Sequence, residues 1–155
     1  KKYKPELVGV GKISNQPKAK PAPNDDAFRK ELQGWKARNC QATVKDGIVT
    51  LKGTASDPFF GTGASQFNGP SKITFRILAP KGGEGKVSWA NNTPKPESIP
   101  FTLKKGKWTE LTLNLPAKGS LGILRLHFPA GKQTIKVDNI DLRSNGSGTK
   151  KGWSF

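Results

Sequence analysis

The chain has 155 residues, 33% of them apolar, and carries 27 Lys and Arg against 11 Asp and Glu for a net charge of +16. That length suits one domain with a real core, and the low apolar share leaves room for loops or tails. The charge predicts attraction to nucleic acid, acidic lipid surfaces, or acidic and sulfated polysaccharides, or else a Lys coat that only solubilises a secreted domain; no apolar stretch approaches the roughly 20 residues that span a bilayer.

Residues 1–24 are rich in Lys and Pro without a sustained period, as in an extended, linker-like segment lying along a neighbouring domain. No signal peptide is recognisable. One helical turn fits residues 25–32, with Asn24 or Asp25 as its cap. From there the pattern is β. Cys40, Ala42 and Val44 alternate, Asp46-Gly47 supplies a two-residue turn, and Ile48 to Lys52 returns, which predicts a hairpin. Cys40 is the single cysteine, so the chain has neither a disulfide framework nor a thiolate metal site. Its phase with Ala42 and Val44 makes it a buried small apolar residue.

Phe59, Phe60 and Phe67 fall in a stretch that reads as loop. Strands are predicted over 72–79, 85–90, 98–104, 107–115, 121–128 and 133–143, with turns at Lys81-Gly-Gly, Lys104-Lys-Gly, Pro116-Ala-Lys-Gly and Pro129-Ala-Gly. Eight or so short strands with Gly and Pro between them define an all-β fold, an antiparallel two-sheet sandwich or jelly roll. The inward set is Val44, Phe75, Ile77, Val87, Leu111, Leu113, Leu124, Leu126, Ile135 and Val137. Residues 25–143 form the sandwich domain, and residues 144–155 read as a flexible C-terminal tail.

Period-two alternation also sets the outward faces. Opposite Leu124, Leu126 and Phe128 stand Ile123, Arg125 and His127. Arg76 lies opposite Phe75 and Ile77, and Lys136 and Asp138 lie opposite Ile135 and Val137. Such basic faces fit a binding surface. A catalytic reading finds little support: there is one histidine, Cys40 is in phase with apolar neighbours, and Asp25/Asp26 and Asp138/Asp141 fall at expected sandwich edges. No nucleophile is expected to have a base beside it. Gly82-Gly-Glu-Gly85 joins two strands and leads to no helix, so it is not a phosphate loop.

Trp89 sits among Lys86, Ser88, Asn91 and Asn92, a setting for stacking a sugar ring. It also shares parity with Val87, a setting for the core. Trp35 and Trp108 stand where strands begin and read as structural. The candidate carbohydrate-binding residues are therefore Arg76, Lys86, Trp89, Arg125, His127, Lys136, Phe59 and Phe60, with Arg76 and Arg125 expected to matter more than the Lys residues of 1–24. A structural Ca²⁺ on Asp25, Asp26 or Asp138 is a further expectation.

Several segments, taken in order, carry a family resemblance. They are Leu32-Gln-Gly-Trp35, Val44-Lys-Asp-Gly-Ile-Val-Thr-Leu-Lys-Gly53, Asp57-Pro-Phe59, Val87-Ser-Trp-Ala90, Lys107-Trp-Thr-Glu-Leu111, Leu124-Arg-Leu126, Ile135-Lys-Val-Asp-Asn-Ile-Asp-Leu142 and the closing Trp153-Ser-Phe155. The sequence resembles the galactose-binding-like jelly-roll domains at the C-terminus of secreted bacterial sulfatases, and its Tyr3-Lys-Pro-Glu6 region resembles the tail of a sulfatase catalytic domain, which implies that residues 1–24 are the tail of an upstream catalytic domain. The resemblance implies a non-catalytic, carbohydrate-binding-like module, secreted or periplasmic, attached to a sulfatase and positioning a sulfated polysaccharide. The sulfatase signature itself, Cys or Ser followed by x-Pro-x-Arg, is absent, so hydrolysis does not carry over. This chain departs from the pattern at His127, where the family has an acid, and at Asn139, where an aromatic is common. Alternatives are a domain that only packs against its parent enzyme, and a nucleic-acid binder. The last would require aromatics interleaved with basic residues on one sheet face, and none is in phase here.

Overall fold

The Asp46-Gly47 turn forms as its residue types require. Both residues have positive φ, 52° and 80°, the backbone of a type I′ hairpin turn. It pairs Val44 with Val49 and Lys45 with Ile48. The computed structural model describes residues 29–91, 95–129, 132–145 and 148–155. A short 3₁₀ turn at Lys30–Leu32 precedes the strands. In chain order these are β1 (Lys36–Arg38), β2 (Cys40–Lys45), β3 (Ile48–Gly53), β4 (Phe59–Gly63), β5 (Asn68–Leu78), β6 (Gly83–Ala90), β7 (Glu97–Leu103), β8 (Trp108–Ser120), β9 (Ile123–His127), β10 (Thr134–Ser144) and β11 (Lys150–Trp153).

They build two antiparallel sheets. The five-stranded sheet runs β1-β4-β9-β6-β7; the six-stranded sheet runs β2-β3-β10-β5-β8, with β11 pairing β10 beyond the end of β3. The inner faces meet over one core, as in a jelly-roll sandwich. Phe75, Ile77, Val87, Leu124, Leu126, Ile135 and Val137 are buried there as the alternation predicts. Val44, Leu111 and Leu113 pack against the core only partly buried. Leu111 and Leu113 stand on β8 and Val44 on β2, the outermost strands of their sheet among the described residues, where one flank has no described neighbour.

Four expectations need correction. Phe59–Gly63 is a strand, not a loop, and Lys36–Arg38 is another. The predicted turn at 116–119 is absent, because β8 continues to Ser120 alongside the start of β5. The C-terminal tail is not flexible where it is described. Lys150–Trp153 pairs with β10, Trp153 is 4% exposed and packs edge-on against Trp35 at 5.3 Å, and Phe155 joins the core. The sandwich therefore extends to the last residue of the sequence given. Finally, Asp138 and Asp141 lie mid-strand on β10 in the interior of the six-stranded sheet, not at an edge. Residues 1–28, which include the Lys/Pro-rich segment, Asp25 and Asp26, lie outside the described residues.

Cys40 is fully buried on β2, its thiol directed at the carbonyls of Arg38 (3.2 Å) and Phe59 (3.7 Å). Burial disfavours the thiolate and pushes its pKa up to about 11. A chromogenic disulfide reagent at neutral pH should therefore find no reactive thiol until denaturant is added. Rapid labelling of the native protein would contradict this placement.

Candidate functional site

The outer face of the five-stranded sheet is where several predicted residues meet. β9 projects Ile123, Arg125 and His127 outward, because Leu124 and Leu126 point into the core. β4 on one side aligns Gly61 with Arg125 and Gly63 with Ile123; β1 beyond it aligns Lys36 with Gly61 and Arg38 with Phe59. The two glycines leave the middle strand without outward side chains beyond Phe59. The result is an open cleft of about 340 Å³, floored by Gly61 and Gly63 and walled by Lys36, Arg38, Ile123 and Arg125. Three cations thus surround a hollow with an apolar wall, Ile123 being 47% exposed.

Gly61 is constrained as well as small. A Cβ there would lie 3.0 Å from Arg125 Cγ and 3.1 Å from the Leu124 carbonyl oxygen, so the glycine lets the arginine stem lie flat. At Gly63 a Cβ would meet nothing within 4 Å. The space above it is the cleft.

Phe59 supports this wall. The Arg125 guanidinium carbon sits 5.2 Å from its ring centroid, and the His127 ring lies 5.1 Å away on the same phenyl group. The aromatic face orders the cation by a cation–π contact. Phe59 therefore presents Arg125 to the cleft; it does not offer a bare ring.

Behind Phe59 runs a chain of hydrogen bonds that the sequence reading missed. His127 Nδ1 is 2.9 Å from Asp57 Oδ1, and His127 Nε2 is 2.9 Å from Ser88 Oγ. The carboxylate can only accept, so Nδ1–H donates to Asp57 and Nε2 accepts from the Ser88 hydroxyl. The expectation that no nucleophile has a base beside it is corrected: Ser88, His127 and Asp57 are connected in the order of a hydrolase triad. The setting differs from a triad's in two respects. Ser88 is 4% exposed, and it lies mid-strand in β6, which is paired on both sides by β9 and β7. Its backbone amides are used in the sheet, so none is aimed at a developing oxyanion. Here the chain satisfies buried polar groups and ties the segment before β4 to β9.

Burial pushes the His127 pKa below its usual 6.5, and the nearby Lys86 and Arg125 push the same way, against the upward pull of Asp57. The folded state thus prefers the neutral ring, while the unfolded chain takes up the proton first. This stabilisation is complete above the ordinary value and is lost as pH falls through it toward the lowered native value. Urea midpoints should drop between about pH 7.5 and about pH 5, and His127→Gln should flatten that drop. An unchanged slope in the variant would remove His127 from the account.

The remaining predicted residues divide. Lys86 lies on the same outer face, exposed and aligned with His127. Trp89 and Phe60 do not belong to any surface. Trp89 is 5% exposed and Phe60 is fully buried, stacked on Trp35 at 4.8 Å, because both stand at inward positions of their strands. Neither can stack a sugar ring. Arg76 and Lys136 are on the six-stranded sheet, on the opposite side of the sandwich from Arg125. Arg76 is ion-paired with Asp138 at 3.0 Å. Among the described residues no three or more His, Cys, Asp or Glu side chains converge to hold a metal. Nor is any helix among them long and apolar enough to cross a membrane.

No protein-family model matches the sequence, and no curated protein sequence matches it. Solved structures do. A mutant of a family 29 carbohydrate-binding module aligns with a TM-score of 0.59 at 12% identity, over 78% of this chain and 86% of that one. A second family 29 mutant gives 0.59 at 14% identity, over 74% and 84%. A third, complexed with mannohexaose, gives 0.56 at 13% identity, over 70% and 79%. At such identities the likeness defines the fold, and the fold is the predicted jelly-roll sandwich.

Proposed function

We propose that this domain is a non-catalytic carbohydrate-binding module whose five-stranded sheet holds an anionic polysaccharide. The observation that carries the reading is the glycine-floored cleft walled by Lys36, Arg38 and Arg125. A saccharide unit lies over Gly61 and Gly63 with its apolar face toward Ile123, and its sulfate or carboxylate groups pair with the cations. Arg125 is suited to this role, since a guanidinium forms two parallel hydrogen bonds to one oxyanion. Lys86, further along the face, extends the track for a longer polymer. The fold supports the reading by analogy, because the family 29 relative is seen with an oligosaccharide. The cations are what favour a charged ligand over a neutral one here.

The motif resemblance to sulfatase C-terminal domains supports a sulfated ligand and a sulfatase as the catalytic partner in cis, outside the cytoplasm. The module then raises the local concentration of polymer at the enzyme. The test is affinity electrophoresis in gels containing a sulfated polysaccharide or its chemically desulfated counterpart. Retardation is expected only with the sulfated polymer, and it should fade as salt shortens the screening length below about 8 Å. Equal mobility in both gels would overturn the reading and favour a domain that only packs against its enzyme. Equal retardation by single-stranded nucleic acid of similar charge would show a general polyanion surface.

A further inference from the structure

The opposite face of the sandwich carries a second cleft of different chemistry. Asp138 and Asp141 are three residues apart on β10, a spacing that in a regular strand puts them on opposite faces. Here the register with β5 shifts between Asp138 and Ile140, and Asn139 takes up the extra residue at a φ of 50°. This β-bulge turns both carboxylates outward while Val137 and Ile140 stay buried. Asp138 then aligns with Arg76, and Asp141 with Thr74; across β8, Glu110 aligns with Arg76 and Thr112 with Thr74. Gly152 of β11 leaves room for the second carboxylate, since a Cβ there would lie 2.8 Å from Asp141 Oδ1. Together they enclose about 350 Å³, bounded by Thr74, Arg76, Glu110, Asn139, Asp141 and Ser154.

Beside this cleft lies Trp108, two residues from Glu110 on the same face of β8. It is 37% exposed, and the Arg76 guanidinium rests 4.9 Å from its ring. The tryptophan that read as structural is thus at the surface, while Trp89, the candidate for stacking, is in the core.

We infer that this second cleft binds an uncharged saccharide unit, with the exposed part of the Trp108 ring that the Arg76 guanidinium leaves uncovered as an apolar contact at its rim, and Glu110, Asp141, Asn139 and Arg76 as hydroxyl partners. Carboxylates accept from adjacent hydroxyls, the guanidinium donates, and the amide does both. Arg76 is already neutralised by Asp138, and the two further carboxylates repel a sulfate, so the anionic ligand of the first cleft is excluded here. A cationic ligand is disfavoured by the overall charge of +16. The module is then two-faced: one sheet takes charged units and the other takes neutral ones. This second cleft stands independently of the first, although both assign carbohydrate ligands.

The test titrates the full chain by calorimetry with mannohexaose, cellohexaose and xylohexaose. At least one is expected to bind, about tenfold more weakly to Trp108→Ala and to Glu110→Gln, with affinity largely kept by Trp108→Phe. Gly63→Leu, on the other face, should leave that binding unchanged. The inference is overturned if no neutral hexasaccharide binds at millimolar concentration, or if Trp108→Ala and Glu110→Gln bind as the wild type does. It is equally overturned if Gly63→Leu removes neutral binding, since one cleft would then serve both ligands. Failure of the first cleft reads out separately, as sulfated-polymer binding that Gly63→Leu does not change.

Discussion

Replacing Trp153 with alanine should destabilise the domain by about 3–5 kcal/mol, the usual loss for truncating a buried aromatic. The side chain is 4% exposed, meets Trp35 edge-on, and closes the strand that pairs Ile140 with Trp153 and Arg143 with Lys150. Trp35 in turn stacks on Phe60, so the cavity would open beside an aromatic cluster that cannot easily collapse. Removing residues 148–155 should cost more, because it also exposes the flank of β10 that β11 covers and removes Phe155 from the core. Urea denaturation followed by circular dichroism would measure both. A loss below about 1 kcal/mol for Trp153→Ala would mean that the C-terminal strand is an accessory to a core complete without it.

Arginine 125 should dominate binding of the sulfated polymer, whereas Arg76 should not contribute. Arg125→Ala removes a cation held over Phe59 at the wall of the first cleft, and the affinity is expected to fall about tenfold or more, as for loss of one charge-assisted hydrogen bond. Arg76 is on the other sheet and neutralised by Asp138 at 3.0 Å, so Arg76→Ala should leave that affinity unchanged. The sequence alone gave the two arginines the same role. Equal losses for the two substitutions would show that the polymer wraps both faces, or that net charge alone drives association.

How much of this was legible follows from what alternation encodes. It finds which side of a strand faces in, and so it placed Phe75, Ile77, Leu124, Leu126 and Val137 in the core correctly. It carries no information on which sheet a strand joins, and so Arg76 and Arg125 looked equivalent. Short or glycine-rich strands escape it. Lys36–Arg38 has three residues, and Phe59–Gly63 ends in Gly-Thr-Gly, which reads as loop although those glycines make the cleft. β11 was hidden by its Lys-Lys-Gly composition; the closing Trp153 and Phe155 were the available signal that something there is buried. The bulge at Asn139 breaks the period itself, so the common face of Asp138 and Asp141 could not be counted from spacing. The Asp57–His127–Ser88 chain joins residues 70 and 39 positions apart, a link that only the folded register supplies.

The central claim is that the polymer lies in the glycine-floored cleft, and filling that cleft tests it most directly. Leucine at position 63 meets no atom within 4 Å at its Cβ and strains no left-handed backbone, so Gly63→Leu should fold with its stability nearly unchanged while its side chain occupies the space above the floor. The +16 charge and every cation remain in place. The account predicts that binding of the sulfated polysaccharide weakens at least about tenfold in calorimetry at physiological salt, with an unchanged circular-dichroism spectrum. Undiminished binding by the folded variant would contradict it, and would place the polysaccharide elsewhere on the molecule.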